Sequence, residues 1–245
     1  MRHQVNSTPR NSAAAPAKPS DTQVEAARYA VLRRLAPALH HHMVRPLQPI
    51  GLIHGMVQHK LAGPAPDLKS VREEGDKISE FIRSALQECN DMVAWLAPEP
   101  GVVVPADRGV CECVGLLATM LHFCGFRISN EIEELEAAVQ QHAIRMVLSA
   151  ALLEMTDSMD RQAPLSISAV AGDDEVSITL AFGPPQDDMP NRYEEGYRKL
   201  VWEDVQALAS AENVALSRQA HQVVLRFPIA TQTQSPALSM FSLMH

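Results

Sequence analysis

The chain has 245 residues, a net charge of −8 and an apolar content of 46%, with aromatics held to 4%. That length suits one large domain or two modest ones, and a core so poor in rings must be built of Leu, Val, Ile, Ala and Met, which suits helices. The acidic balance excludes nucleic-acid binding through a broad basic surface, and the lack of any run of about 18 apolar residues excludes a membrane-spanning helix.

Residues 1–20 are rich in Ser, Pro, Ala and Asn without periodicity and read as a disordered tail. A helix is expected to start at Ser20-Asp21-Thr22, where Ser20 or Asp21 caps the first backbone N–H groups. From Val24 to about Leu61, Leu32, Leu35, Leu39, Met43, Pro46, Ile50, Ile53 and Val57 recur at intervals of three and four. Pro46 removes an N–H and crowds the preceding turn, so a bend is expected just before it, with a milder one at Pro37. Gly63-Pro64-Ala65-Pro66 ends this run. A second amphipathic run follows, with Leu68, Val71, Ile78, Ile82, Leu86, Cys89, Val93 and Leu96 on one face. The short connection makes the two helices antiparallel neighbours. Two such helices cannot cover each other's stripes, so a second copy completing a homodimeric four-helix bundle is expected.

Pro98-Glu99-Pro100-Gly101 marks a boundary between a hairpin of residues 21–97 and a domain of residues 101–230. In the latter, helices are expected over Asp107 to Phe123, Ala137 to Ser158 and Tyr193 to Ala211. Strands are expected at Phe126 to Ile128, Pro164 to Val170, Glu175 to Phe182, Val214 to Arg218 and Gln222 to Phe227, with Gly172-Asp173-Asp174 as a hairpin turn. Pro184 to Pro190 reads as a polar loop, and residues 231–245 as a loose tail. The fold class is α+β: a helical hairpin, then a sandwich with one sheet face covered by helices. Cys89, Cys111, Cys113 and Cys124 have no C-x-x-C spacing and read as thiols in a reducing cytosol. The N-terminus lacks an apolar signal core, so a cytoplasmic location is expected.

His40-His41-His42 lies inside the first helical run. At about 100° per residue, His42 falls roughly 60° from the centre of the apolar face, His40 roughly 100° and His41 roughly 160°. His41 is therefore the expected exposed residue. An exposed imidazole beside a bend suits nucleophilic attack, because a neutral ring nitrogen is available near pH 7. Ordinary solvation and metal ligation are the alternatives. Metals favour histidines at i, i+4, a spacing absent here, and no metal ligand is assigned.

The spacing of His41 to Pro46, followed by Leu47 and Ile50, resembles the H-box of sensor histidine kinases. That box reads roughly His-Glu-Leu-Arg-Thr-Pro-Leu, then two variable residues, then an apolar one. The resemblance places the phospho-accepting position on His41. It makes the hairpin similar to a dimerisation and histidine-phosphotransfer domain, and residues 101–230 similar to the kinase ATP-binding domain.

The chain departs from that pattern where a kinase needs it most. His42 stands where the family carries the acid that acts as base, and Arg45 stands where kinases with phosphatase activity carry Thr or Asn. The asparagines of the N-box fall at Ala150 and Glu154, the adenine-binding Asp at Ala181, and Pro185 replaces one of two glycines. Nucleotide binding needs an adenine acceptor, oxygen ligands for magnesium and flexible backbone around the phosphates. No bound cofactor and no autokinase activity are therefore expected.

Degenerate versions of this design are histidine phosphotransferases of the ChpT type, which relay phosphoryl groups between receiver domains. The resemblance implies a phosphotransferase that takes a phosphoryl group on His41 from the aspartate of one response regulator receiver domain, with a hybrid histidine kinase as one source. It passes the group to another, and the Mg2+ sits on the receiver. Arg45 is expected near the phosphoryl oxygens, and His42, Leu47, Ile50, Gly51 and His54 on the receiver-docking surface. The alternative is a non-catalytic pseudokinase that sequesters a response regulator or a kinase.

Overall fold

The computed structural model describes residues 18–64, 67–97, 99–160, 162–184 and 197–230. The tails, the polar loop after Pro184 and the expected start of a helix at Tyr193 lie outside those residues.

Helix α1 (Asp21–Val44) begins at the expected cap. The Ser20 hydroxyl accepts from the Gln23 N–H at 3.3 Å, and the Ser20 N–H donates to Gln23 Oε1 at 2.8 Å. This reciprocal capping box satisfies two otherwise orphaned donors. Pro37 sits inside α1 without ending it. The lost hydrogen bond there is offset by burial of Leu35, Ala38 and Leu39 around it. Pro46 does interrupt the helix. Arg45–Leu47 tighten into a 3-10 turn before α2 (Gln48–Leu61) resumes. Asp67 then caps α3 (Leu68–Leu96), accepting from the Lys69 and Ser70 N–H groups at 3.1 and 3.2 Å. Helices α2 and α3 form the expected hairpin, and Lys60 ties its closed end through Ser70 at 2.7 Å and Glu74 at 3.4 Å.

The second half runs β1 (Val103–Pro105), α4 (Ala106–Phe123), β2 (Arg127–Asn130), β3 (Ala138–Gln140) and α5 (Gln141–Ala143). A π turn at Ile144–Leu148 joins α5 to α6 (Ser149–Asp157). Then come β4 (Pro164–Ala171), β5 (Glu175–Phe182), α7 (Trp202–Ala211), β6 (Ala215–Gln219) and β7 (Gln222–Pro228). The five-stranded sheet has the order β2-β4-β5-β7-β6, with β2 and β4 parallel and the other neighbours antiparallel. Leu165, Ile167, Val176, Ile178, Leu180, Val223, Leu225 and Phe227 alternate onto its buried face, against the helices. The class is α+β, as expected.

Two expectations change. The run from Ala137 is not helical at its start: Ala138–Gln140 is a strand, paired antiparallel with Val103–Pro105. Strands of three residues are too short to show alternation, and this pairing spans most of α4 and β2. The last helix begins at Trp202, because residues 197–200 are held in an extended approach by side-chain contacts described below.

Helix α1 belongs to both halves. Ala27, Ala30, Val31 and Leu35 are fully buried, and α1 packs on α4 and α7 as well as on α3. Polar straps reinforce that packing. Arg28 donates to Glu212 at 3.0 Å, and His142 Nε2 lies 3.3 Å from the same carboxylate. His142 and then Arg28 outweigh the effect of burial and hold the Glu212 carboxyl below its usual range. From α3, Trp95 stacks under the Arg145 guanidinium at 5.0 Å, and Arg145 in turn pairs with Glu112 at 2.9 Å.

Candidate functional site

The histidine run occupies the last turn of α1, just before the 3-10 break. Exposure alone does not single out His41, because His40 is exposed too. His42 is half-buried and faces α3, where its Nδ1 lies 3.8 Å from Glu88 Oε2. The His41 and His42 rings meet edge-on with centroids 6.2 Å apart. His41 is exposed, as the helical wheel predicts. It lines a groove of about 680 Å³ between α1 and α4, together with His42. The wheel gives no sign of this groove, because its far wall belongs to α4.

Arg45 lies one turn beyond His41, and its backbone N–H donates to the His41 carbonyl. Its side chain is 60% exposed and turns toward Glu88, at 3.8 Å. Glu88 thus sits between His42 and Arg45. Sequence reasoning misses it, because its place depends on the register between α3 and the end of α1. Leu47 is exposed in the 3-10 turn, Ile50 is half-buried, and Gly51 and His54 are exposed on α2. Gly51 borders a shallow depression with Leu52, Gly55, Met56, His59 and Lys60, on the outer face of the hairpin.

The second half places a chain of acids on the end of α6 and the start of α7, each taken by an arginine. Arg218 of β6 donates to Glu154 Oε1 at 2.9 Å while stacking on the Trp202 ring at 4.8 Å. Asp157 receives both Nη groups of Arg34 at 2.5 and 2.9 Å, and the buried Leu200 N–H at 2.9 Å. Asp204 receives both Nη groups of Arg198 at 2.6 and 2.8 Å and the Val201 N–H at 3.0 Å. Burial alone would raise the Asp204 carboxyl, but Arg198 and that N–H outweigh it and hold it below the usual range. These bonds shape the approach to α7. Of the other positions singled out above, Ala150 is buried in α6, and Ala181 lies within the sheet, opposite Gln222 and Ser166.

Glu154 behaves differently from its neighbours. Burial pushes its carboxyl up, Arg218 offsets only part of that, and its Oε2 is buried without a hydrogen-bond partner. A raised carboxyl binds its proton more tightly folded than unfolded, so its contribution is fully present below the unfolded pKa and is lost as pH rises through the folded one. Glu154→Gln keeps the shape and the acceptor for Arg218 without the buried charge. It is expected to raise the urea midpoint at neutral pH, with the gain over wild type vanishing as the pH falls below the ordinary glutamate range. A variant less stable than wild type at neutral pH would show that the Arg218 pair outweighs desolvation.

No protein-family model matches the chain, and no curated protein matches it. Among solved structures it is similar to the histidine kinase AdeS of Acinetobacter baumannii, with 11% identity over 78% of this chain and 97% of that one, at a TM-score of 0.38. It is similar to a bacterial phosphotransferase, with 14% identity over 86% of this chain and 98% of that one, at 0.37. It is also similar to the histidine kinase ThkA in complex with the response regulator protein TrrA, with 15% identity over 84% of this chain and 64% of that one, at 0.38.

Proposed function

We propose that the chain is a histidine phosphotransferase of two-component signalling, dimeric through its hairpin, that accepts a phosphoryl group on His41 from a receiver-domain aspartate and passes it to a second response regulator. The observation that carries this reading is the pairing of an exposed His41 on a firmly anchored helix with a second domain in which Glu154, at one N-box position, is already taken by Arg218. The residues that would meet a nucleotide do not fit one. Ala181 offers no acceptor for an adenine amine, Ala150 no oxygen for magnesium, and the Glu154 carboxylate is already taken by Arg218. His41 therefore takes its phosphoryl group from another protein and not from ATP.

The chemistry asked of this chain is modest. The lone pair of a neutral ring nitrogen of His41 attacks the phosphorus of the aspartyl phosphate in line. The N–P bond forms as the P–O bond to the aspartate breaks, and the aspartate leaves as a carboxylate. The imidazolium so formed gives its other ring proton to water. Mg2+ on the receiver neutralises the charge of the transferring group. Helix α1 supplies orientation, since its buried face and its ion pairs hold His41 in place. Arg45 reaches the phosphoryl oxygens by exchanging Glu88 for them.

A second reading, receiver binding without transfer, is favoured by that same Arg45–Glu88 pair, which leaves Arg45 engaged away from His41. Incubation with phosphorylated receiver domains separates the two. Acid-labile phosphate on the wild-type chain, absent in His41→Ala and kept in His40→Ala and His42→Ala, is the expected result. Tight receiver binding with no label would establish the second reading. Binding of an ATP analogue would overturn the nucleotide-free relay.

A further inference from the structure

A phosphoryl donor for His41 has to cover more of this molecule than the hairpin. A specific protein interface buries about 800 Å² on each partner. In-line attack brings the reacting atoms to about 3–3.5 Å. A protein seated that closely on His41 overlies the groove between α1 and α4, because His41 is one of its walls.

The character of that groove is unusual for this chain. The protein carries 29 acidic residues against 21 basic ones, yet among the described residues no carboxylate lines the groove. Its charged side chains are Arg33 and Arg34. Arg34 is matched by Asp157 at its inner end. Arg33 is exposed, stands 5.6 Å over the Tyr197 ring and has no carboxylate partner among the described residues. The opposite wall is mostly apolar: Leu116 and Met120 of α4, with Thr119 between them, ending in Phe123 and Cys124. Phe123 is 75% exposed, more than any other large apolar side chain among the described residues. An aromatic ring and an arginine flanking a concave surface are the residue types that anchor protein interfaces.

We propose that this groove, formed between α1 and the α4 side of the α/β domain, is a second receiver-docking surface beside His41, in addition to Leu47, Ile50, Gly51 and His54. The inference rests on the relay reading above. Its occupant is the acidic rim around the receiver's phospho-aspartate. That rim carries the carboxylates that hold Mg2+ and complements Arg33, which has no carboxylate beside it among the described residues. Phe123 and Met120 pack against the apolar side chains bordering that rim. The degenerate domain thus has a use without nucleotide: strapped to α1, it presents a fixed wall to the protein that visits His41.

Receiver binding is measured on a His41→Gln background, which separates docking from chemistry, and transfer is measured with His41 intact. Phe123→Glu and Arg33→Glu change exposed side chains, and far-UV circular dichroism checks that the fold is kept. Each is expected to weaken receiver binding about tenfold or more. Each is also expected to raise the receiver concentration for half-maximal transfer by a similar factor. Labelling of His41 by the small donor phosphoramidate should stay at the wild-type rate. Val170→Glu, at an equally open apolar position outside the groove, should change neither. Receiver binding and transfer that persist undiminished in Phe123→Glu and Arg33→Glu would overturn the groove and leave the relay intact. A change of oligomeric state in those variants would also overturn it, by assigning the groove to a second copy. A wild-type chain that neither binds nor accepts phosphate from a panel of receivers would instead overturn the relay reading itself.

Discussion

Replacing Asp157 by Ala is expected to lower the unfolding free energy by about 3–5 kcal/mol, the range seen when one partner of a buried ion pair is removed. The pair is buried on both sides: the Asp157 side chain is 4% exposed and that of Arg34 10%. Asp157 also does more than balance a charge. It takes two guanidinium N–H groups and the Leu200 N–H, and that last donor is buried. Truncation leaves the guanidinium without this carboxylate and the amide without its acceptor, and each desolvated group adds to the loss. Arg34→Met should cost less, because Asp157 keeps the Leu200 N–H. The double variant Arg34→Met, Asp157→Leu should recover much of what the single changes lose, since apolar side chains of similar volume avoid the desolvation penalty. Urea midpoints of the four proteins close a double-mutant cycle and give the coupling directly. A loss below about 1 kcal/mol for Asp157→Ala would class the pair with solvated surface bridges, and the anchoring of α1 would then fall to its buried apolar face and the Arg28–Glu212 pair.

The consequence reaches the candidate site. Arg34 lies two turns before His41 on the same helix, so the bond that anchors α1 to α6 also fixes where His41 stands relative to α4. Glu154, taken by Arg218 of β6, and Asp157, taken by Arg34 of α1, are neighbours on α6.

What was legible in the sequence was local. Ser20 and Asp67 announce their helices, Pro46 announces its break, and the β4–β5 and β6–β7 hairpins follow from alternation and turn residues. What was not legible depended on partners far along the chain. The β1–β3 pair is three residues on each side, and neither segment carries a pattern of its own. Glu88 reaches His42 and Arg45 only because α3 runs back along α1 in one particular register. The fully buried Ala27 and Ala30 are strong helix formers, but side chains so small mark no face of the helix until α4 and α7 are seen against them. His41 was found by spacing to Pro46. The groove beside it was not, because its far wall begins at Leu116, more than seventy residues along the chain.

Leu86→Glu combined with Val93→Glu is expected to turn a dimer into a monomer without unfolding the hairpin. Ile82, Leu86, Val93 and Leu96 are exposed along α3 and follow the spacing of a coiled-coil seam. Leu86 is 61% exposed in the single chain, and Leu52 on the neighbouring α2 is 70% exposed. Gly51 and Gly55, one turn apart beside Leu52, have open space where a side chain would stand, so another helix has room to approach closely. A second copy of the hairpin offers the same stripe, and a two-fold axis lets each cover the other. Covering a large apolar side chain is worth about 1.5–3 kcal/mol. The two substitutions remove four such side chains from a symmetric interface, or about 6 kcal/mol or more, which raises the dissociation constant by about four powers of ten. Light scattering at micromolar concentration should then report a dimer for the wild type and a monomer for the variant. Helix content should be unchanged, because neither side chain is buried within the protomer. A wild-type monomer at that concentration, or a variant dimer of undiminished strength, would remove the bundle from the proposal. If the monomeric variant still takes phosphate on His41, the groove and the helix beside it are sufficient for transfer, and the dimer serves stability alone.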